Sequence, residues 1–253
     1  MGTDAAGGRR GRGRIGARLV GVAGEVLITL GVLVALYAVW ELWWTNLEAS
    51  RVQDAAVERL AEDFGAGSDG TEPVSAGGLA PVTPAAEDGE AFGILYVPRF
   101  GEDYARPIAE GVGHEVLNSA GIGHYPGTQW PGEPGNFAVA GHRQSHGQVF
   151  WDMDQLRPGD RLYVQTETGY YTYRHTESEI VQPSESSVLL PVPHRPGAEP
   201  TVSTLTLTTC HPPFTVRERM IAYAELESWQ PLSDGPPAEI AGAAGGGAAP
   251  AAS

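Results

Sequence analysis

Hydrophobic and polar positions divide the chain into five stretches, and the apolar stretch at residues 19–44 is the clearest of them. No charged residue interrupts it between residues 26 and 40. About 20 apolar residues in a row are enough to cross the hydrocarbon core of a bilayer as a helix. The C-terminal end of the stretch is rich in tryptophan, whose ring favours the interface between membrane and water. The pattern predicts a transmembrane anchor over residues 19–44.

The charges that flank this anchor predict its orientation. Five arginines precede it, against one acidic residue, Asp4. Because positively charged flanks tend to stay in the cytoplasm, we expect a cytoplasmic tail at residues 1–18 and an extracellular position for the chain after the anchor. A cleaved signal peptide is the alternative, but it would be shorter and would end in small residues. The tryptophan-rich flank favours an uncleaved, single-pass anchor in the cell membrane.

Two stretches have few large apolar residues. Residues 45–90 begin with apolar positions at Leu47, Val52, Ala56 and Leu60, a nearly helical spacing that predicts a short juxtamembrane helix. Gly, Ala, Pro, Ser and acidic residues then dominate to residue 90, which predicts a flexible stalk. A similar composition at residues 230–253 predicts a disordered tail.

Residues 91–229 predict a single β-rich domain. Short runs of β-branched and aromatic residues alternate there with Gly and Pro turns. Predicted strands lie at residues 92–97, 136–141, 160–165, 170–180, 201–209 and 220–226, and brief helices at 114–119 and 149–156. Many short strands of this kind favour an all-β, closed or nearly closed barrel over a βαβ fold.

Charge excludes one class of function. The chain has no lysine, and its net charge is -15. From residue 45 onward, 11 of the 16 basic residues remain against 28 of the 31 acidic ones. Such a surface repels phosphates, so we expect no nucleic-acid partner. The acidity keeps the domain soluble.

Cys210 is the only cysteine, in a domain expected to be extracellular, where cysteines usually pair. A lone thiol there is buried and inert, bound to another chain, or chemically active. Cys210 ends a strongly β-prone run just before Pro212 and Pro213, where the chain has to leave the sheet. Side chains at strand ends are rigidly held and still face solvent. This position favours a catalytic nucleophile.

Arg219 and His142 are the residues best placed to assist Cys210. If the strands at 201–209 and 220–226 are neighbours, Arg219 lies across the loop mouth, where a cation favours the thiolate and can stabilise an oxyanion. Arg217 is the competing candidate. His142 follows the apolar strand at 136–141, and a thiol with an imidazole supplies nucleophile, acid and base for acyl transfer.

His142 and His146 lie four residues apart, which also invites an interpretation as a zinc site. Neither the carboxylate of an HExxH motif nor a helical pattern accompanies them, and a loop with Gly and Ser does not preset ligand geometry. We therefore expect no metal and no other cofactor.

Three motifs resemble those of the sortase family. The run TLTTC, which ends at Cys210, resembles the sortase TLxTC motif. Arg219, just before an apolar strand, resembles the arginine that precedes the last sortase strand. The run AGHR around His142 resembles the segment of the sortase histidine, and GHYPGT at 123–128 resembles the run before it. The resemblance covers residues 91–228.

The resemblance implies a closed eight-stranded β-barrel with short helices and a cysteine transpeptidase activity. Cys210 would attack the Thr–Gly bond of a C-terminal sorting signal on a secreted protein and form a thioacyl enzyme. His142 would protonate the leaving amine and then deprotonate the amine of the peptidoglycan precursor lipid II. Arg219 would stabilise the oxyanion or position the signal, and Thr209 would help to hold the substrate.

The proportions of the motifs most resemble class E sortases, the housekeeping enzymes of GC-rich actinobacteria, which agrees with a chain without lysine. Class E enzymes are associated with LAxTG rather than LPxTG signals. His146 stands where several class E relatives would carry a tyrosine. We expect His146 to contact the substrate and to influence which signal is read.

Three alternatives remain open. The first is a sortase of class C or D that polymerises pilins or serves few substrates. The second is a non-catalytic extracellular binding module in which Cys210 is only buried. The third is a hydrolytic thiol protease of another fold.

Overall fold

A computed structural model describes residues 10–67 and 80–244 of the chain. Parts of the predicted tail, stalk and C-terminal segment, at residues 1–9, 68–79 and 245–253, lie outside the described residues. The chain divides into two compact units, one that ends at Trp44 and one that begins at Thr45.

Helix α1, Arg10–Gly67, runs through the predicted anchor and continues beyond it. Within the described residues it is the one helix that is long and apolar enough to cross a membrane. Its apolar side chains over the predicted anchor face outward, with Leu27 68% exposed and Leu33 57% exposed. Thr29 donates its hydroxyl to the carbonyl of Glu25 at 2.8 Å. An internal partner of this kind is what a polar group on a lipid-facing helix requires.

Eight strands form the closed barrel that the family resemblance implies, and this prediction is confirmed. Around the barrel the order is β1-β2-β3-β4-β7-β8-β6-β5, and β1 pairs with β5 to close it. The pairs β2–β3 and β4–β7 are parallel, and the other pairs are antiparallel. In chain order the strands are β1 Ala91–Tyr96, β2 Ala105–Glu110, β3 Ile122–His124, β4 Gly135–Gly141, β5 Arg161–Thr166, β6 Gly169–Val181, β7 Ser203–His211 and β8 Glu218–Gln230.

Side chains alternate between the two faces of each strand, and the apolar set fills the barrel interior. Phe137 and Val139 of β4 and Leu205 and Leu207 of β7 all lie in the main core cluster and are at most 1% exposed. The residues between them on the same strands therefore face outward. This alternation places the side chains of Asn136 on β4 and of Thr206, Thr208 and Cys210 on β7 on the outer face.

Some local elements differ from the sequence prediction. Helix α2, His114–Ser119, is present as predicted. Residues 149–156 do not form the predicted helix, because turns lead there into a short 3₁₀ helix, Met153–Gln155. Val149, Phe150 and Met153 reach the core from these turns, which mimics helical spacing. The prediction also missed β2, which contains Pro107, and β3, which has only three residues.

The part of α1 after Thr45 packs on the barrel as part of the same compact unit. Its buried stripe contains Ala49, Gln53, Leu60 and Phe64, which follow one another at intervals of four, seven and four residues along one helical face. This stripe is offset from the predicted one, since Val52 is 43% exposed. The C-terminal part of the stripe, Leu60 and Phe64, packs in one apolar cluster with residues of the barrel domain: Ile94, Tyr96, Ala105, Tyr163, Tyr170 and Ile240.

The barrel domain extends further at both ends than the sequence predicts. Thr83, which lies in the predicted stalk, is 3% exposed, and its hydroxyl lies 3.2 Å from the phenol oxygen of Tyr171. Tyr171 in turn donates to the carbonyl of Pro81 at 2.7 Å. In the predicted tail, Ile240 is 2% exposed, and Glu239 accepts hydrogen bonds from Arg161 and Tyr163. A short helix α3, Ala241–Ala244, follows. Residues 80–90 and 231–244 are therefore parts of the folded domain.

Candidate active site

Cys210 lies near the end of β7 and is directly opposite Arg219 of β8 in the antiparallel ladder. Directly opposed residues share a face of the sheet, with Cβ atoms about 5 Å apart. Cys210 belongs to the outward-facing set of β7, because Leu205 and Leu207 face the core. The thiol is free and only partly buried. The predicted nucleophile and the predicted cation are therefore neighbours.

Arg219 is held near this position by its own loop. Its Nη1 donates to the carbonyls of Val216 at 3.2 Å and Glu218 at 3.0 Å. The competing candidate, Arg217, is exposed in the connection between β7 and β8 and has no register with Cys210. The ladder favours Arg219 as the cation nearest to the thiol.

The outer face next to Cys210 forms a polar floor on β4 and β7. Thr206 donates to the side-chain oxygen of Asn136 at 2.6 Å. Asn136 donates in turn to the carbonyls of Val188 at 2.9 Å and Leu190 at 3.0 Å. These bonds hold the long β6–β7 connection over the outer face. Two residues nearer to Cys210 on the same face, the Thr208 hydroxyl lies 3.1 Å from the phenol oxygen of Tyr125.

His142 is the first residue after β4 and is oriented by helix α2. Its Nε2 lies 2.8 Å from Oδ1 of Asn118. A carbonyl oxygen can only accept, so Nε2 carries the proton in this contact. A neutral His142 therefore keeps its lone pair on Nδ1, which is the form that a general base requires.

The surroundings of His142 favour the neutral imidazole. Burial lowers the pKa of His142 from its ordinary value, and the nearby His146 and His114 lower it further, because their positive forms would repel a second imidazolium. The rings of His142 and His146 have centroids 5.1 Å apart. Burial, and then His114, likewise lower the pKa of His146.

His146 lies beside His142 in the loop at residues 142–148, which we call the histidine loop. Its backbone is left-handed, with φ of 49°. Its buried Nδ1 has no hydrogen-bond partner in the described part of the chain. The structure therefore brings His146 next to His142, and its contact with substrate stays a prediction.

Thr209 faces away from Cys210. It alternates with Cys210 along β7 and is 3% exposed. Its hydroxyl donates to the carbonyl of Gly141 at 2.8 Å and so ties β7 to the last residue of β4. The side chain is not among the groups on the outer face and makes a structural contact there, so its contact with substrate stays a prediction.

Arg143 and Asn118 are the residues at this site that the sequence did not single out. Arg143 is 3% exposed, and its Nη1 donates to Nδ1 of His211 at 3.0 Å. Its Nη2 forms an ion pair with Asp154 at 3.2 Å. Arg143 thus links the residue after Cys210 to the histidine loop. The only sequence signal for it is its position after His142, and a single amide such as Asn118 leaves no pattern.

A thiol with an arginine opposite it, and an imidazole held by an amide just after the neighbouring strand β4, are the groups that acyl transfer through a cysteine uses. Among the described residues, no group of three His, Cys, Asp or Glu side chains is placed to hold a metal ion. The class that this fold and site define is a β-barrel cysteine acyltransferase.

Comparisons with known proteins agree with this class. The family model described as "Sortase domain" matches residues 95–227. The chain belongs to the sortase family, whose members are cysteine transpeptidases. Sortases act in general on proteins that bear sorting signals and on cell-wall precursors.

Sortase SrtE1 of Streptomyces coelicolor is 36% identical over 221 residues, which are 85% of this chain and 59% of that protein. The chain therefore spans less than two thirds of the length of SrtE1. Sortase SrtE2 of the same organism is 34% identical over 87% of this chain and 86% of its own length.

Two solved structures show the same barrel. The SrtA sortase from Actinomyces oris is 40% identical, with a TM-score of 0.61 over 63% of this chain and 92% of its own. A crystal structure of sortase E1 from Streptomyces coelicolor, with a tripeptide in the active site, has a TM-score of 0.56 at 36% identity. It covers 61% of this chain and 99% of that chain.

Proposed function

We propose that this chain is a membrane-anchored transpeptidase of the class E type, with Cys210 as nucleophile, His142 as acid and base and Arg219 as oxyanion donor. The observation that carries this proposal is the register of β7 and β8, which sets the only thiol opposite an arginine at the edge of a polar outer face. A cysteine that served only to pack would need neither an arginine opposite it nor a polar surface beside it.

The first half of the proposed reaction forms a thioester. Cys210 gives its proton to Nδ1 of His142, and the sulfur attacks the carbonyl carbon of the threonine in the sorting signal. Arg219 stabilises the negative charge on the carbonyl oxygen of the tetrahedral intermediate. The C–N bond to glycine then breaks, and the leaving amine takes the proton from His142.

The second half transfers the acyl group. The incoming amine attacks the thioester carbonyl and gives its proton to Nδ1 of His142. The C–S bond breaks, and the proton restores the Cys210 thiol. Atoms and charges balance over the cycle, and no cofactor is needed. The lowered pKa of His142 suits this cycle, because it keeps the base neutral before each attack.

The proposed substrate is the C-terminal LAxTG or LPxTG-like signal of a secreted protein, and the proposed acceptor is the amine of lipid II. A peptide substrate is supported by the tripeptide in the active site of sortase E1 from Streptomyces coelicolor. The partly exposed phenol of Tyr125, whose oxygen lies 3.1 Å from the Thr208 hydroxyl, offers a hydrogen-bonding group beside Cys210 to an extended peptide. We further propose that His146 contacts the signal beside His142.

The proposed location is the cell membrane, with residues 1–18 in the cytoplasm and the barrel outside. The apolar helix over residues 19–44 supports the anchor. The arginines before it support the orientation. A cysteine-accessibility assay on the full chain in cells, with single cysteines placed at residue 5 or 233 in a Cys210→Ala background, tests this topology. Labelling of residue 5 but not of residue 233 by an impermeant reagent would contradict it.

Transfer assays on the full chain in detergent micelles test the activity. Fluorescent LAxTG, LPxTG and scrambled peptides are each incubated with and without an amine acceptor. We expect cleavage after threonine and an amide product that needs the acceptor. Hydrolysis that added amine never diverts would instead identify a protease, and transfer restricted to another signal would remove the class E assignment.

A further inference from the structure

Gln53, on the part of α1 that packs on the barrel, is fully buried even though its side chain is polar. Its neighbours along the same stripe, Leu60 and Phe64, are apolar and join the apolar cluster on the barrel wall. Its Oε1 has no hydrogen-bond partner among the described residues. Burying an unsatisfied amide oxygen costs free energy. A contact that served only to dock the helix would be better made by an apolar residue.

The amide of Gln53 binds the histidine loop directly. Its Nε2 donates to the carbonyl of His146 at 3.0 Å. Two turns earlier on α1, Oδ1 of Asn46 accepts from the backbone N–H of Gly147 at 3.2 Å. Two side chains of one helical face therefore hold consecutive residues of the loop that begins with His142.

The same amide also touches the chain just after α2. Gly121 and Gly147 both have left-handed backbones, with φ of 87° and 89°. A Cβ on Gly121 would lie 2.7 Å from Nε2 of Gln53, and a Cβ on Gly147 would lie 2.4 Å from its Oε1. Only glycine permits this close approach on both sides. Gln53 therefore sits between the two segments that carry His142 and its partner Asn118.

We propose that Gln53 is a positioning residue, which holds the histidine loop and the end of α2 in the arrangement that lets Asn118 bind His142. The juxtamembrane helix then helps to position the active site and is also a connection to the membrane. This inference rests on the proposed function, since it concerns the base of the proposed reaction.

The test uses the full chain in detergent micelles and the variant Gln53→Met, which keeps most of the side-chain volume but cannot donate to His146. We expect kcat for peptide transfer to fall about 10-fold while KM changes less than about 2-fold, because a misplaced base affects the chemical step and not peptide binding. Backbone amides at residues 142–148 should exchange with solvent several times faster. Gln53→Ala is the second variant without this donor, and we expect the same two changes from it.

Two variants of the same helix serve as controls. Val52→Ala changes an exposed neighbour and should alter neither readout. Leu60→Ala removes a docking contact on the barrel wall, and we expect it to lower the unfolding temperature at least as much as Gln53→Met while kcat stays within about 2-fold.

Unchanged kcat or unchanged exchange in Gln53→Met would overturn the inference, and so would an equal loss of kcat in Leu60→Ala. If the wild-type chain transfers no peptide, the proposed function fails, and the exchange rates of the histidine loop still decide whether Gln53 holds it.

Discussion

Cys210 and His142 are held in place by two different kinds of structure. Cys210 lies within a backbone ladder, since it pairs with Arg219 of β8, and Thr208, two residues before it, pairs with Ala140 of β4. His142 follows the last residue of β4, and its imidazole is held by the hydrogen bond that Nε2 donates to Oδ1 of Asn118 on α2. The proposed nucleophile is therefore fixed by the sheet, whereas the imidazole of the proposed base is oriented by a side chain of another element. Substitutions far from the thiol can then act on the base without moving the nucleophile.

The largest effect is expected when the nucleophile itself is removed. Cys210→Ala should lower transpeptidation by at least ~10³-fold, because no other thiol can form the acyl enzyme. The partly buried strand-end position should leave the unfolding temperature nearly unchanged. Peptide-transfer rates and thermal unfolding on the same samples check both parts. Residual transfer near the wild-type rate would remove Cys210 from the mechanism.

The next largest effect is expected when Arg219, which is paired with Cys210 in the ladder, is removed. Arg219→Ala should cost about 10²-fold to 10³-fold in kcat, the range seen when one donor to an oxyanion is lost. Arg217→Ala is the matched control, because this arginine is two residues away and exposed, and its loss should change kcat less than about 3-fold. Rate measurements at saturating peptide compare the two. A greater loss in the Arg217 variant would reverse the assignment.

A smaller effect is expected on the side-chain-held part of the site. Asn118→Ala removes the acceptor for His142 Nε2 and should lower kcat roughly 10-fold, about the worth of one hydrogen bond to the reacting group. Asn118→Asp keeps an acceptor and, by adding a negative charge, should raise the pKa of His142. Rate profiles against pH separate the two variants. Equal profiles for Asn118→Ala and wild type would mean that the helix does not orient the base.

The smallest effect is expected in the pH dependence of kcat/KM. His146→Gln removes a neighbour whose charge lowers the pKa of His142, so the pKa of His142 should rise towards its ordinary value. The acidic limb of kcat/KM should then move to higher pH, while the rate near pH 8 changes less than about 3-fold. Movement of that limb to lower pH would contradict the electrostatic cause. A large rise in KM at every pH would instead support the proposed contact with the sorting signal.

The sequence predicts the ladder-held part of this site better than the part held by side chains. Cys210 and Arg219 are predictable because β-branched residues mark β7, apolar and polar residues alternate along β8, and the short connection between the two strands sets the register. The contacts of His142 and His146 are not, because they join residues 24 and 93 positions apart through single amides. A lone Asn or Gln leaves no periodic signal.

The sequence misses the N-terminal limit of the folded domain for a similar reason. Residues 80–90 have the composition of a linker, and few apolar side chains mark them as ordered. They pack through polar contacts instead, such as that of Thr83 with Tyr171. Hydrophobic patterning cannot detect an interface made of hydroxyl groups and backbone carbonyls.

The central claim is that Cys210 carries the acyl group, and capture of the intermediate tests it most directly. The full chain is mixed with LAxTG peptide without an amine acceptor, quenched in acid, digested and analysed by mass spectrometry. The account predicts a thioester between the threonine carbonyl and Cys210 that disappears when the amine is added before quenching. Cleaved peptide without an adduct on Cys210, or with an adduct on another residue, would contradict it.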